Sequence, residues 1–116
     1  MKKVYRIKKS SEIDAIFKEK KVKGDSCFAI YQSDDVNGTH FRFGLSIGKK
    51  YGNAVARNLC KRRIRMIVSM FQGQFIKTKL FVIVIKPAAN TLSYQEMMDK
   101  LTVLFKKSKL MENANE

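Results

Sequence analysis

Between Asp35 and Glu96 the chain carries no carboxylate side chain, yet this stretch holds Arg42, Lys49, Lys50, Arg57, Lys61, Arg62, Arg63, Arg65, Lys77, Lys79 and Lys86. The densest part, GKKYGNAVARNLCKRRIR, runs from Gly48 to Arg65. Side chains of this kind bind anions. The guanidinium fork meets phosphate oxygens and base edges through paired hydrogen bonds, and lysine adds a point charge. A polyphosphate backbone suits such a surface, because each bound Lys or Arg displaces condensed counterions. Hydrolytic chemistry has no comparable set of residues. A protein-borne two-metal site needs clustered carboxylates, and none of the 10 Asp and Glu side chains lies in the basic region. His40 is the single histidine; it stands at a strand start beside a turn and reads as incidental, not catalytic. Cys27 and Cys60 offer neither a disulfide framework nor zinc spacing. Each sits in an apolar context and reads as a reduced, buried thiol of a cytosolic protein.

These residues need a scaffold. With 116 residues, 45% hydrophobic content and a net charge of +14, the chain is expected to fold as one domain with a modest core. Ser11 is expected to open a first helix, with Asp14 completing a loose capping box and Ile13, Ile16 and Phe17 on one face. Lys18, Lys20, Lys21 and Lys23 follow, and Gly24 ends that segment. Residues 26–32 suit a strand, with Phe28 and Ile30 on one side and Cys27, Ala29 and Tyr31 on the other. Asn37-Gly38 signals a turn. The next strand alternates Phe41, Phe43, Leu45 and Ile47 toward the core with His40, Arg42, Gly44 and Ser46 away from it.

Beyond the basic loop 48–53, Asn53 is a plausible N-cap for a helix reaching about Phe71, with Gly73 as its stop. The apolar run Leu80 to Ile85 reads as a strand buried on both faces, broken by Pro87. It is far too short to span a bilayer, and no apolar segment of a secretion signal follows the basic N-terminus. Ser93 and Glu96 form a capping box for a last helix that packs Met97, Leu101, Leu104 and Phe105 inward. The domain is expected to end at residue 109, leaving 110–116 as a disordered tail. The order of elements implies an α+β sandwich, one central sheet packed by helices.

In the central helix, at about 100° per residue, Ala56, Cys60, Ile64, Ile67 and Phe71 share one side. Asn58, Arg62, Arg65 and Ser69 take the opposite side, flanked by Arg57 and Lys61. A merely solvated face usually mixes signs so that i,i+4 ion pairs form. This helix has no carboxylate, and its polar face is read as a binding surface.

The segment GNAVARNLCKRRIR resembles the signature of the bacterial ribonuclease P protein subunit. That signature, Gly-Asn/Lys-Ala-hydrophobic-x-Arg-Asn-Arg/Lys-x-Lys-Arg-x-x-Arg, is met here by Gly52, Asn53, Ala54, Val55, Arg57, Asn58, Lys61, Arg62 and Arg65. Arg6-Ile7-Lys8-Lys9, Phe17, Arg42-Phe43-Gly44-Leu45-Ser46, Lys49-Lys50 and Lys86-Pro87-Ala88 support the match in order, so it covers nearly the whole chain. Leu59 stands at the third position of Arg-Asn-Arg/Lys, where the signature has a cation, Met66 where an acid often follows the last arginine, and Ile13 where the first helix often has phenylalanine.

The resemblance implies an αβββαβα fold with a left-handed βαβ crossover, and a part in removing the 5′ leader of precursor tRNA. The catalyst would be the RNA subunit, using bound divalent ions, normally Mg2+, with no catalytic or metal-binding residue on the protein. Lys50, Asn53, Arg57, Asn58, Lys61, Arg62 and Arg65 would bind the catalytic RNA. Ile13, Phe17, Tyr31, Arg42, Lys49 and Lys86 would meet the leader in a cleft between the first helix and the sheet. The partners implied are ribonuclease P RNA and precursor tRNA, in the cytoplasm, with no membrane and no protein partner.

A structural RNA-binding protein such as a ribosomal protein is the alternative reading of the composition. A helix-turn-helix DNA binder fits less well, because no partner helix closely precedes the basic helix. A membrane-surface helix fits least, because the sheet needs the apolar stripe.

The carboxylate distribution and the lone His40 generate a first prediction. His40→Ala should leave 5′ cleavage by protein reconstituted with ribonuclease P RNA nearly intact, and protein freed of RNA should cleave no precursor tRNA. Magnesium-dependent, site-specific cleavage by RNA-free protein would contradict it.

Overall fold

The computed structural model describes residues 3–112. Its regular elements are α1 (Ser10–Lys18), β1 (Val22–Gly24), β2 (Phe28–Asp34), β3 (Arg42–Ile47), α2 (Ala54–Met70), β4 (Lys79–Ile85) and α3 (Tyr94–Lys107). This is a mixed α+β domain with a four-stranded sheet in the order β1-β2-β4-β3. β1 pairs with β2, and β2 with β4, antiparallel; β3 runs parallel to β4. The Asn37-Gly38 turn forms, with the Gly38 N–H donating to the Asp35 carbonyl at 2.8 Å. It does not close a hairpin, because β4 inserts between the two strands that the turn connects.

Strand periodicity splits the interior in two. Toward α2 and α3 point Phe28 and Ile30 of β2, Phe43 of β3, and Phe81, Ile83 and Ile85 of β4. Cys60, Ile64, Ile67 and Val68 of α2 and Met97, Leu101, Leu104 and Phe105 of α3 close over them. An aromatic cluster sits at one end of this core, with the Phe41 and Phe75 rings 4.7 Å apart. On the reverse face Val82 packs under Ile7 and Ile16, with Ile13, Phe17, Tyr31 and Leu80 around them. The expected helix stripe and the inward set of α3 are therefore present; β4 is buried on both faces at 81–83, while Leu80 and Val84 are half-buried on the reverse face. Asn53 caps α2 by accepting the Ala56 N–H at 2.9 Å. Ser93 and Glu96 form the full capping box of α3.

Several local expectations are corrected. α1 starts at Ser10 and has no side-chain cap, so the Ser11–Asp14 box does not form. Its position is set instead by tertiary ties: Glu12 meets Arg42 in two hydrogen bonds of 3.0 Å, and Glu19 accepts from the Ser33 hydroxyl. The helix ends well before Gly24, because Lys20 takes the left-handed conformation at φ 57°. The lysine-rich segment then forms β1, an exposed edge strand of three residues with too little apolar content to register as one. β2 begins at Phe28, not Ser26. Asp25 turns the chain by accepting the N–H groups of Cys27 and Phe28, both at 2.8 Å. Cys27 consequently enters the main core and does not share the Ala29–Tyr31 face.

The folded part also extends past residue 109. Lys109, at φ 56°, reverses the chain after α3. Leu110 drops fully buried into the core, and its carbonyl accepts from Ile76 at 2.8 Å. Met111 bridges to Phe75. The expected tail thus does not begin at residue 110, and residues 113–116 lie outside the described part.

The ion pairs of the sheet generate a prediction about acid stability. The Glu12 carboxyl is held below the usual carboxylate range chiefly by its hydrogen bonds to Arg42. That of Asp34 is lowered chiefly by Lys79, 2.9 Å away. A depressed folded-state value means stabilisation that is complete above the unfolded-state value and is lost as pH falls through the folded one. Both pairs are partly exposed and screened, so each contributes at most about 1 kcal/mol. The melting temperature should hold from neutral pH down to the carboxylate range and fall below it. Glu12→Gln should lower the neutral-pH plateau slightly and flatten that fall; an acid limb identical to that of the parent protein would refute the assignment.

Candidate nucleic-acid interface

The basic helix α2 is placed by its own sequence. Asn53 fixes the start, and the buried stripe lays one side on the sheet. What remains outward forms a groove of about 920 Å3 that includes Asn58, Lys61, Arg62 and Arg65. Arg6 joins them from a distant part of the chain. The segment before α1 runs parallel to the free edge of β3, with the Ile7 N–H donating to the Phe43 carbonyl at 2.8 Å. That pairing brings Arg6 beside Lys61 and Arg65 over a recess of about 140 Å3. The Arg6 Nε is buried and has no hydrogen-bond partner among the described residues. Burial, and then the charge of Arg6, makes the protonated form of Arg65 less favourable than usual. Neither concavity is lined by a carboxylate. Arg6 was absent from the sequence-based set because only the β3 edge pairing carries it to α2.

The remaining members of that set lie elsewhere. Asn53 spends its side-chain oxygen on the helix cap. Arg57 donates to the Gly52 carbonyl at 2.6 Å, bracing the loop before α2. Lys50 is exposed on a short 3-10 turn, Lys49–Tyr51. The expected RNA-binding residues therefore divide into a groove group and a loop group at the N-terminal end of the helix. Beneath the loop, burial pushes the Tyr51 hydroxyl up to about 12 and raises the Cys60 thiol, as suits interior groups.

The second concavity is on the opposite face of the sheet. α1 covers the rows centred on Leu80 and Val82 but leaves the next one open, where Ala29, Val84 and Ser46 are register neighbours. These small residues floor a cleft of about 560 Å3, walled by Phe17 and Tyr31 and reached by Lys86. The Phe17 and Tyr31 rings meet edge to face, centroids 4.8 Å apart. Lys86 Nζ donates to the Asp25 carbonyl at 2.6 Å, which holds its charge at the cleft and ties down the β1–β2 turn.

Three expected cleft residues do not line it. Ile13 packs above Gly44, where an added Cβ would stand in ordinary contact with its Cδ1 at 3.5 Å. Arg42 is engaged by Glu12, which also raises its already high pKa. Lys49 is exposed beyond the end of β3.

Among the described residues no group of three or more His, Cys, Asp or Glu side chains could hold a metal ion. No helix among them is long and apolar enough to cross a membrane.

Residues 1–109 match the sequence pattern of the Ribonuclease P family. The ribonuclease P protein component of Acholeplasma laidlawii is 46% identical over 112 residues, which is 97% of this chain and 96% of that protein. Its counterpart from Phytoplasma australiense is 44% identical and covers 99% of this chain and 100% of its own length. A solved structure of a Staphylococcus aureus RNase P protein mutant with defective mRNA degradation activity superposes with a TM-score of 0.89. It shares 30% identity and covers 94% of this chain and 92% of its own.

The groove generates a paired prediction. Arg62 is exposed, so Arg62→Ala should weaken binding to ribonuclease P RNA by about 1–3 kcal/mol at unchanged melting temperature. Arg65→Ala should weaken binding comparably while leaving stability equal or higher, because it relieves repulsion with Arg6. Filter binding at matched salt, beside thermal melts, checks both; undiminished affinity in the two variants would remove this face from the interface.

Proposed function

The chain belongs to the ribonuclease P protein family, and from that premise we propose how its two concavities divide the work of tRNA 5′ maturation. The chain acts as the protein component of ribonuclease P, the endonuclease that removes the 5′ leader from precursor tRNA. The α2 groove, with the loop before it, binds the catalytic RNA. The cleft on the reverse face takes the leader as a single strand. The observation that carries this reading is the separation of two unlike surfaces. One is a groove lined by cations with no carboxylate, and the other an aromatic-walled cleft with a floor of small side chains.

Each surface suits its task physically. The groove holds like charges close together, so a phosphate arriving there relieves repulsion as well as gaining hydrogen bonds. The cleft floor leaves room above Ala29, Val84 and Ser46 for a flat base to pack beside Tyr31 and Phe17. Lys86 supplies a cation for the adjoining phosphate. Ile13 acts by seating α1 over Gly44, and Lys49 meets leader phosphates outside the cleft. Arg42 reaches a phosphate only by giving up Glu12. Divalent metal, Mg2+ in this reading, belongs to the RNA subunit, where it supplies the hydrolytic chemistry; the side chains here bind and orient. The complex works in the cytoplasm. A purely structural RNA-binding protein would use the groove but has no need of the cleft.

Tyr31→Ala tests the division. Losing one stacking partner should cost about 1–3 kcal/mol in affinity for precursor tRNA. Binding of mature tRNA to the assembled complex and of the protein to ribonuclease P RNA should hardly change. Equal losses for both tRNAs, or a large drop in melting temperature without a leader-dependent difference, would assign Tyr31 to packing and overturn the cleft.

A further inference from the structure

Of the four exposed apolar side chains of α2, three lie in the groove and Met70 lies beyond it. Val55 is 78% exposed, Leu59 37% and Met66 55%. At about 100° per residue they fall, with Arg62, within a narrow arc of the helix. The core does not use them: the sheet-facing residues of this helix are Cys60, Ile64, Ile67 and Val68. All three line the groove, beside Asn58 and Arg62. Phosphate contact leaves such a stripe unexplained, because an anion gains nothing from apolar surface.

A nucleobase has the matching chemistry. Its faces are apolar, and its edges carry donors and acceptors that an amide or a guanidinium can meet. In a duplex the faces are stacked away and only the edges show, so the base must be unpaired. A second copy of this chain fits poorly, since it would press two cation-rich grooves together with no carboxylate in either to offset them. A lipid surface fits poorly as well, since interfacial helices bury a broad apolar face, and the larger apolar stripe of this helix is already in the core.

We propose that Leu59 and Met66, with Val55 at the margin, seat one unpaired nucleobase of the catalytic RNA, while Asn58 and Arg62 hydrogen-bond its edge. This deepens the assignment of the groove to that RNA and rests on it. The consequence is a component of affinity that salt does not screen. Each phosphate contact contributes to the salt slope, whereas base packing shifts affinity by the same factor at every salt concentration.

The experiment uses the full chain with intact ribonuclease P RNA. Dissociation constants are measured across a salt series for the parent protein, Leu59→Ala/Met66→Ala and Arg62→Ala, beside chemical probing of unpaired bases and sedimentation of the free proteins. The double variant should lose roughly tenfold in affinity at every salt with the slope unchanged. One unpaired base protected by the parent protein should become reactive, and melting should not shift. The proposal is overturned by unchanged affinity, by a loss that alters the slope without exposing a base, or by a parent dimer that the double variant dissolves. The underlying reading fails separately: if Arg62→Ala also leaves affinity and slope unchanged, the groove is not the RNA surface at all.

Discussion

β4 is the strand that both halves of the interior share, and the rest of the molecule follows from that constraint. Its odd residues, Phe81, Ile83 and Ile85, are buried in the main core, and Val82 is buried under α1. A strand in this position takes partners on both edges, so β2 and β3 flank it although they are consecutive in sequence. Two-residue periodicity then fixes which side chains of all three strands share a face. The main core consumes α2 and α3. The reverse face is left to α1, a single helix of 9 residues. It cannot cover the full width, and the uncovered row of Ala29, Val84 and Ser46 becomes the cleft. The concavity is what remains when one short helix covers a sheet too wide for it.

The same covering arrangement explains how the charge is managed. α2 must bury Cys60, Ile64, Ile67 and Val68, which obliges its arginines to face away from the sheet. Among the described residues the ion-paired carboxylates are elsewhere: Glu12 with Arg42, and Asp34 with Lys79 and Lys21. They stabilise the sheet and the seat of α1, and none reaches the α2 groove. Arg6, Lys61 and Arg65 therefore crowd together without neutralisation. Folding sustains that repulsion because the hydrophobic stripe beneath outweighs it, and a polyanion would reverse its sign. Charge and stability are in tension at this surface, and an anion bound there would relieve it.

The helical stripe of α2, the caps at Asn53 and Ser93, the apolar strand β4 and the cationic face were legible in the sequence, because each depends on residues a turn or two apart. So was the family resemblance, carried by a contiguous segment. The aromatic pair Phe17 and Tyr31 was also legible, although only its geometry across the cleft shows that the two rings act as one wall.

What the sequence could not carry was everything that depends on distant partners. α1 begins without a local side-chain cap and is tied to the sheet near its two ends by Glu12 reaching Arg42 and Glu19 reaching Ser33. The strand order, the burial of Leu110 and the path of the last described residues rest on contacts between remote segments. For the sites, pairing of the N-terminal segment with β3 adds Arg6 to the groove, while Glu12 withdraws Arg42 and the α1–Gly44 contact withdraws Ile13 from the cleft. Local periodicity and capping are short-range consequences of backbone geometry, so one sequence displays them directly. Which cation is free, which is paired and which row of a sheet stays uncovered are decided only when chain segments meet, and that is a property of packing.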